Sequence, residues 1–329
     1  MKTVWRAVGL FWLAPLVGEF LLGNQPVTEL PSILLFAPMY GGGALLIREV
    51  ARRAGIGWTG IVLLAAAYGL LEEGPIDQML FNPGYLGLDS FAGFALVPGL
   101  GVSVSLVQGT VTLHTIWSIC VPIALVEGFA PESTRPWLGR LGLTVVALIF
   151  TLGSTLLGVM QAVGFHFVAS PAQFAGSAVA IAVLVVLAFV LGRRAGHRRT
   201  GKPVPSPLRV GVVAFAATSL YWVESEFLPD DWLPEWVSIA WWFVLFGGTT
   251  AAIVHWSRGK GWGPRHRLAL ATGALLTYAW AGYSHASDMD NVSLPIALLG
   301  NTLFALAAGI LVLILWRRLG TPRGVEHVR

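Results

Sequence analysis

The chain has 329 residues, of which 55% are hydrophobic and only 12% are charged, with a net charge of +4. A soluble domain carries roughly 25% charged residues, so this chain could not cover a water-facing surface. The composition therefore excludes a soluble globular protein and predicts one that is embedded in a bilayer. The single cysteine, Cys120, excludes an intrachain disulfide and a cysteine-rich metal site.

Ten apolar stretches follow one another along the chain, each close to the roughly 20 residues that cross the hydrocarbon core as a helix. The first has no small-residue cleavage site after it, so we expect a retained helix. The sequence predicts an all-α, polytopic transmembrane bundle that forms one integral membrane domain over residues 1–329. The predicted spans are residues 4–23, 27–47, 56–73, 103–127, 141–162, 172–192, 210–227, 236–256, 268–285 and 293–316.

The basic residues alternate along the eleven segments that flank these spans. All 21 lysine and arginine residues fall in the odd-numbered segments or at the span ends beside them, and the even-numbered segments carry none. Cytoplasmic loops are enriched in Lys and Arg. The pattern therefore predicts an even number of spans with both termini in the cytoplasm, and we expect a bacterial cytoplasmic membrane.

The inner segments are strongly basic, whereas the outer segments carry most of the acidic residues. We expect the inner face to attract anionic lipid headgroups. Topology alone accounts for this charge, so we do not interpret it as a nucleic-acid interface.

Two connecting segments differ from simple loops. Residues 193–209 form a basic segment with Gly and Pro, which predicts a cytoplasmic linker. Residues 74–102 are apolar but broken by several Pro and Gly residues, and a crossing there would reverse the sides of all later loops. We predict a re-entrant or interfacial outer segment.

Ionisable residues within predicted spans cost free energy and are functional candidates by default. Glu19 lies in the outer half of the first span, and Glu72, Glu73 and Asp77 lie at the outer end of the third. Two neighbouring carboxyl groups can serve as a general acid beside a general base. The alternative is a helix end whose carboxylates are solvated.

Three histidines complete the set of candidates. His114 lies near the middle of the fourth span, on one helical face with Thr110 and Ser118. It is either a metal ligand or proton carrier, or a ring that hydrogen-bonds to another helix.

The other two histidines lie in outer segments. His166, with Ser170, follows the fifth span, and His285 and Asp288 could meet on one face where the ninth span ends. Imidazole and carboxylate groups suit zinc or another divalent ion. The alternative is an ordinary polar loop, and the sequence names no metal or other cofactor.

The stretch Gly69-Leu-Leu-Glu-Glu73 resembles the first motif of the CPBP family of intramembrane proteases, which includes CAAX prenyl endopeptidases and bacteriocin-processing enzymes. His114 and His166 match the second and third motifs of that family in order and loose spacing. Asp77 and Thr110 stand where the family has arginine and phenylalanine. The PrsW-type proteases also begin with a Glu-Glu pair and work from the outer side.

Three functions follow from these observations. The resemblance implies an intramembrane hydrolase that cleaves a membrane-embedded peptide, with Glu72 or Glu73 as general base and His114 and His166 as water-positioning or metal-binding groups. The acidic outer side instead favours a transporter of a small molecule or a cation-binding protein. The third alternative is a non-catalytic membrane scaffold.

Overall fold

The chain folds into an all-α bundle that a computed structural model describes for residues 2–85, 95–131, 134–195, 200–228, 232–287, 289 and 292–320. Its α-helices are α1 (Lys2–Pro15), α2 (Ile33–Ala54), α3 (Gly57–Leu71), α4 (Val104–Leu113), α5 (Val121–Gly128), α6 (Arg140–Gly164), α7 (Pro171–Ala195), α8 (Pro207–Phe227), α9 (Glu235–Ser257), α10 (Pro264–Ser284) and α11 (Leu294–Gly320). Turns of π-helix extend α1 and α3 and join α4 to α5. In the described chain this makes ten helical segments, as the apolar pattern predicts.

Seven of the segments in the described residues are long and apolar enough to cross a membrane. In the segments of α2, α3 and α4–α5, 50–56% of the residues in the most apolar 18-residue stretch are buried in protein. In α6, α7, α9 and α11, only 11–17% of the corresponding residues are buried. The second group presents large apolar side chains such as Leu152, Val179 and Leu306 at its surface. These faces are suited to lipid, and the first group forms the centre of the bundle.

The helices α10 and α11 run in opposite directions. Arg265 at the start of α10 donates a hydrogen bond from Nε to the carbonyl of Leu319 at the end of α11, at 3.0 Å. At the other end of the same pair, the Asn301 amide donates to the carbonyl of Gly282. We call the end with the starts of α6, α8 and α10 the basic end, and the opposite end the acidic end.

The described residues form two hydrophobic cores. One is built mainly from α1, α2, α3, α6 and α7, and includes Tyr40 and Tyr68. The other is built mainly from α5, α8, α10 and α11, and includes Trp117, which stacks on Tyr278 with ring centroids 4.2 Å apart. The chain between α4 and α5 contacts both cores, so the residues there lie where the two halves of the bundle meet.

The segment 74–102 contains no crossing helix in the residues described on either side of 86–94. It has turns and a short hairpin, in which β1 (Leu96–Val97) pairs with β2 (Val102–Ser103). Gln78 is buried at a positive φ of 59°, and its side chain accepts a hydrogen bond from the amide of Ala169 at 2.6 Å. The segment is thus attached to the chain before α7, and its depth in the membrane stays a prediction.

The described residues of the basic segment 193–209 contact other parts of the chain. Its first residues belong to α7, and the amide of Thr200 donates to the carbonyl of Arg258 at 2.8 Å. The amide of Lys260 donates in turn to the carbonyl of Lys202 at 2.9 Å. The described part of this segment therefore packs against the connection between α9 and α10.

Arg48 lies inside α2 rather than in the connecting segment where the charge pattern placed it, because this helix continues to Ala54. Its side chain is fully buried, and pairs with Glu49 at 2.7 Å and Glu127 at 3.1 Å. Glu127 also accepts from Arg52 at 2.5 Å. The guanidinium of Arg48 lies 3.7 Å from the ring centroid of Trp137. This network fixes α2, α5 and the chain before α6 at the basic end.

Replacement of Arg48 by methionine should therefore destabilise the protein strongly. Two buried carboxylates lose a counter-charge, and removal of one partner of a buried ion pair costs about 3–5 kcal/mol. Reversible unfolding of the purified protein in mixed micelles measures the change. The matched control is Arg140→Met, since Arg140 is exposed at the same end. Equal stability of the two variants would show that the buried network does not stabilise the fold.

Candidate functional site: a buried carboxylate cluster

Three turns of π-helix carry the polar residues that the sequence singles out within the spans. Leu16–Phe20 holds Glu19, Glu72–Ile76 holds Glu72 and Glu73, and His114–Cys120 holds His114 and Ser118. The three turns belong to three different spans and lie close together in the centre of the bundle. Short π-helical turns within α-helices occur frequently at functional sites.

Prolines adjoin all three turns and give a local reason for them. Pro15 precedes the first turn, Pro75 lies inside the second, and Pro122 follows the third. Proline has no amide hydrogen, so it cannot make the regular α-helical bond to the carbonyl four residues earlier. In the first two turns the chain instead makes bonds to the fifth residue back, at 3.0 Å from the amide of Leu21 and 2.7 Å from that of Asp77.

His114 lies between the two adjacent glutamates. Its Nε2 is 2.7 Å from Oε1 of Glu73, and its Nδ1 is 3.0 Å from Oε2 of Glu72. The hydroxyl of Ser118 lies 3.1 Å from the same Nδ1. Both glutamates and the histidine are buried, with at most 6% of each residue exposed. The π-helical turn thus directs two neighbouring carboxyl groups towards one imidazole ring.

Glu19 and two tyrosines complete the cluster. The hydroxyl of Tyr40 donates a short hydrogen bond to Oε1 of Glu19, which is itself buried. The rings of Tyr40 and Tyr68 lie 6.0 and 6.3 Å from the ring of His114. Glu19 lies within electrostatic range of Glu72 and His114. We call Glu19, Glu72, Glu73, His114 and Tyr40 the carboxylate cluster.

Two glycines permit the close approach of the helices here. A Cβ at Gly69 would lie 3.1 Å from Cβ of His114 and 3.3 Å from the carbonyl of Val111. A Cβ at Gly18 would lie 3.0 Å from the ring of Tyr40. Small residues let transmembrane helices pack backbone to backbone. The cluster is therefore enclosed by tight packing.

The charges in the cluster do not balance. Glu19, Glu72 and Glu73 are buried carboxyl groups, and in the described residues His114 is the one basic side chain that contacts them. With His114 protonated and all three carboxylates ionised, the cluster carries two negative charges. Uncompensated charge in a medium of low dielectric costs several kcal/mol per ion. Protons or a bound cation must therefore neutralise it.

Carboxyl oxygens of both adjacent glutamates lack a hydrogen-bond partner. Oε1 of Glu72 and Oε2 of Glu73 are buried and have none among the described residues. Buried polar atoms in native structures nearly always have a partner, and exceptions call for an explanation such as an ion or water. A proton on either carboxyl group or a cation beside it would satisfy these atoms.

The described residues contain no group of three or more His, Cys, Asp or Glu side chains placed to hold a metal ion. The cluster has one imidazole, and both of its nitrogens face carboxyl oxygens. It therefore lacks the several converging ligands that a zinc ion needs.

His166 and Ser170 lie outside the cluster. His166 is exposed after the end of α6 at a positive φ of 50°. Ser170 caps α7, because its hydroxyl accepts from the amide of Gln173 at 3.3 Å, and its own amide donates to the Gln173 side chain at 2.8 Å. This reciprocal pair is a capping box and explains Ser170 structurally.

The remaining predicted residues are placed as follows. Asp77 is half-buried directly after the second π-helical turn and within electrostatic range of Glu73 and His114. His285 is half-buried against Trp222, with ring centroids 5.7 Å apart. Asp288 lies outside the described residues. The structure thus brings Glu72, Glu73, His114 and Glu19 together, with Asp77 beside them.

A cavity of about 390 Å³ lies next to the second π-helical turn. Pro75 and Ile76 line one side, and α6 supplies hydroxyl groups from Thr151, Ser154 and Thr155 on the other. The hydroxyl of Ser154 is buried without a hydrogen-bond partner among the described residues. These hydroxyl groups of α6 therefore face the helical turn that holds the glutamate pair.

Two features of the site were missed in the sequence. Tyr40 is the donor to Glu19, and Tyr68 forms a wall beside His114. Both are polar residues in the middle of apolar spans, which is the signal that would have found them.

The comparisons with known proteins identify a family. The sequence model of a family described as an uncharacterized membrane protein family matches residues 9–319, and the chain belongs to that family. No curated protein and no solved structure matches the chain.

The expected relationship with the CPBP and PrsW-type intramembrane proteases is wrong, because the family match is to a different family. The resemblance rested on a Glu-Glu pair and on two histidines with loose spacing. The structure buries His114 against that pair but leaves His166 exposed. The resemblance therefore no longer supports a function as a protease or hydrolase.

Proposed function

We propose that the protein is a membrane transporter that exchanges protons for a cation at the carboxylate cluster. The observation that carries the proposal is the burial of Glu19, Glu72 and Glu73 around the single imidazole of His114. Such a cluster is neutral only when it holds protons or another positive charge. Binding of a cation therefore releases protons, which is the coupling that an exchanger needs.

The chemistry of the cluster favours a monovalent cation. A metal that demands several fixed ligands is a poor fit, as argued above from the described residues. The rings of Tyr40 and Tyr68 next to the carboxylates can also stabilise an organic ammonium group by cation–π attraction. Candidate substrates are thus alkali ions and small quaternary or protonated amines.

The position of the cluster favours transport over a static structural role. It lies where the two hydrophobic cores meet. The three turns that carry its carboxyl and imidazole groups are π-helical rather than regular α-helix. Transporters bind substrate at interrupted helices between two bodies that rock against each other. Burial of three carboxyl groups within the membrane costs free energy, and a purely structural scaffold would be more stable without them.

Transport is tested in proteoliposomes that contain a pH-sensitive dye. External Na⁺, K⁺ or tetramethylammonium should drive proton exit from the lumen at a rate well above that of protein-free vesicles for at least one of these cations. Glu73→Gln should lower that rate at least about tenfold, because a neutral amide at the centre of the cluster cannot exchange its charge.

The matched control is Glu29→Gln, which removes a carboxylate from an exposed position. It should transport at the wild-type rate. The proposal is wrong if wild-type vesicles show no proton movement with any of the three cations. It is also wrong if Glu73→Gln transports as fast as Glu29→Gln.

We further propose that the basic end faces the cytoplasm of a bacterial cell, with both termini inside. The support is the complete segregation of the 21 lysine and arginine residues by segment. A green fluorescent protein fused after Arg329 should fluoresce, and alkaline phosphatase at the same place should be inactive. Active phosphatase there would reverse the orientation.

A further inference from the structure

A second cavity, separate from the carboxylate cluster, opens at the basic end. Its volume is about 820 Å³. It lies among four helix ends: the last residues of α5 and α11, and the first residues of α8 and α10. The lining includes Gly128, Pro207, Gly263, Arg265, His266 and Arg318. Because the ends of four helices line the cavity, its shape is set by the packing of the bundle.

Two arginines supply the charge of this cavity. The side chain of Arg265 is held against the end of α11 by the bond from Nε to the carbonyl of Leu319, which leaves its terminal nitrogens for another acceptor. The guanidinium of Arg318 lies 5.4 Å from the ring centroid of Phe129, which also lines the cavity. Both side chains are exposed and can contact a molecule bound in the cavity. None of the described lining residues is acidic.

His266 has a structural role in the wall. Its Nδ1 accepts from the amide of Gly263 at 3.2 Å, and its Nε2 lies 3.1 Å from the carbonyl of Pro205. A carbonyl oxygen only accepts, so Nε2 carries the hydrogen and the ring is fixed as this tautomer. The ring also stacks on Trp262, with centroids 4.9 Å apart. His266 therefore shapes the cavity and leaves anion binding to the arginines.

We infer that this cavity binds a phosphate group through Arg265 and Arg318. Guanidinium groups match phosphate oxygens with paired, charge-assisted hydrogen bonds. Basic pockets between transmembrane helices at the cytoplasmic side bind the headgroups of anionic lipids. The phosphate belongs either to such a headgroup or to a soluble phosphate. This site is independent of the carboxylate cluster and of the exchange reaction proposed for it.

The test uses the full-length protein purified in detergent. Phosphatidylglycerol, phosphatidylcholine and inorganic phosphate are titrated separately, and bound ligand is counted by native mass spectrometry. Phosphatidylglycerol should bind with higher affinity than phosphatidylcholine, whose headgroup has no net charge. The double variant Arg265→Gln/Arg318→Gln should lose at least about tenfold in affinity, since it removes two charge-assisted interactions.

The control is Arg194→Gln, which removes one positive charge at the same end but outside the cavity. It should bind phosphatidylglycerol within about twofold of wild type, because a side chain that does not line the cavity makes no charge-assisted hydrogen bond to the phosphate. If the double variant does not fold, the single variant Arg318→Gln replaces it, since Arg318 lies exposed at the rim. That variant should lose about threefold or more.

The results separate the two sources of phosphate. Binding of phosphatidylglycerol without inorganic phosphate assigns the site to lipid, and binding of inorganic phosphate that the arginine variants abolish assigns it to a soluble ligand. Both outcomes support the site. Binding that the arginine variants leave unchanged would overturn the inference, as would an equal loss in Arg194→Gln. The arginine variants should show normal cation-driven proton flux. The test of the phosphate site is therefore separate from the test of cation–proton exchange.

Discussion

Burial of three carboxyl groups around one imidazole is the constraint on which the centre of this bundle depends. Glu73 and Glu72 approach the two nitrogens of His114, and Glu19 is held by the hydroxyl of Tyr40. A hydrophobic core of equal size would be more stable in lipid than a cluster with two excess negative charges. The cluster persists only if protons or cations neutralise it, so its occupancy changes with the concentration of both.

Local backbone geometry makes this arrangement accessible. A regular α-helix directs adjacent side chains about 100° apart, which would separate Glu72 from Glu73. The π-helical turn at Glu72–Ile76, with Pro75 inside it, widens the helix and allows both carboxyl groups to reach His114. The same departure from regular helix recurs at Leu16–Phe20 and His114–Cys120. Three irregular turns thus bring the site together between the two cores.

The helical segments and their order could be predicted from apolar length, and the grouping of their ends from the positions of Lys and Arg. The cost of polar groups in spans selects Glu72, Glu73 and His114 as candidates. It left open whether the two glutamates are buried or solvated at a helix end, and the structure shows that they are buried. The contact of Tyr40 with Glu19 could not be predicted, because it depends on helix rotation, which a uniformly apolar span does not determine. The grouping of His166 with His114 came from the loose motif spacing of the protease resemblance, and the structure leaves His166 exposed after α6.

The most direct measurement is infrared spectroscopy of the purified protein at neutral pH, in a buffer whose only cation is too bulky to enter the cluster. The spectrum should show a carbonyl band from a protonated, buried carboxylic acid. That band should weaken in Glu19→Gln, Glu72→Gln or Glu73→Gln, stay unchanged in Glu29→Gln, and shrink when a transported cation is added. A spectrum in which every carboxyl group is ionised without any cation bound would contradict the account.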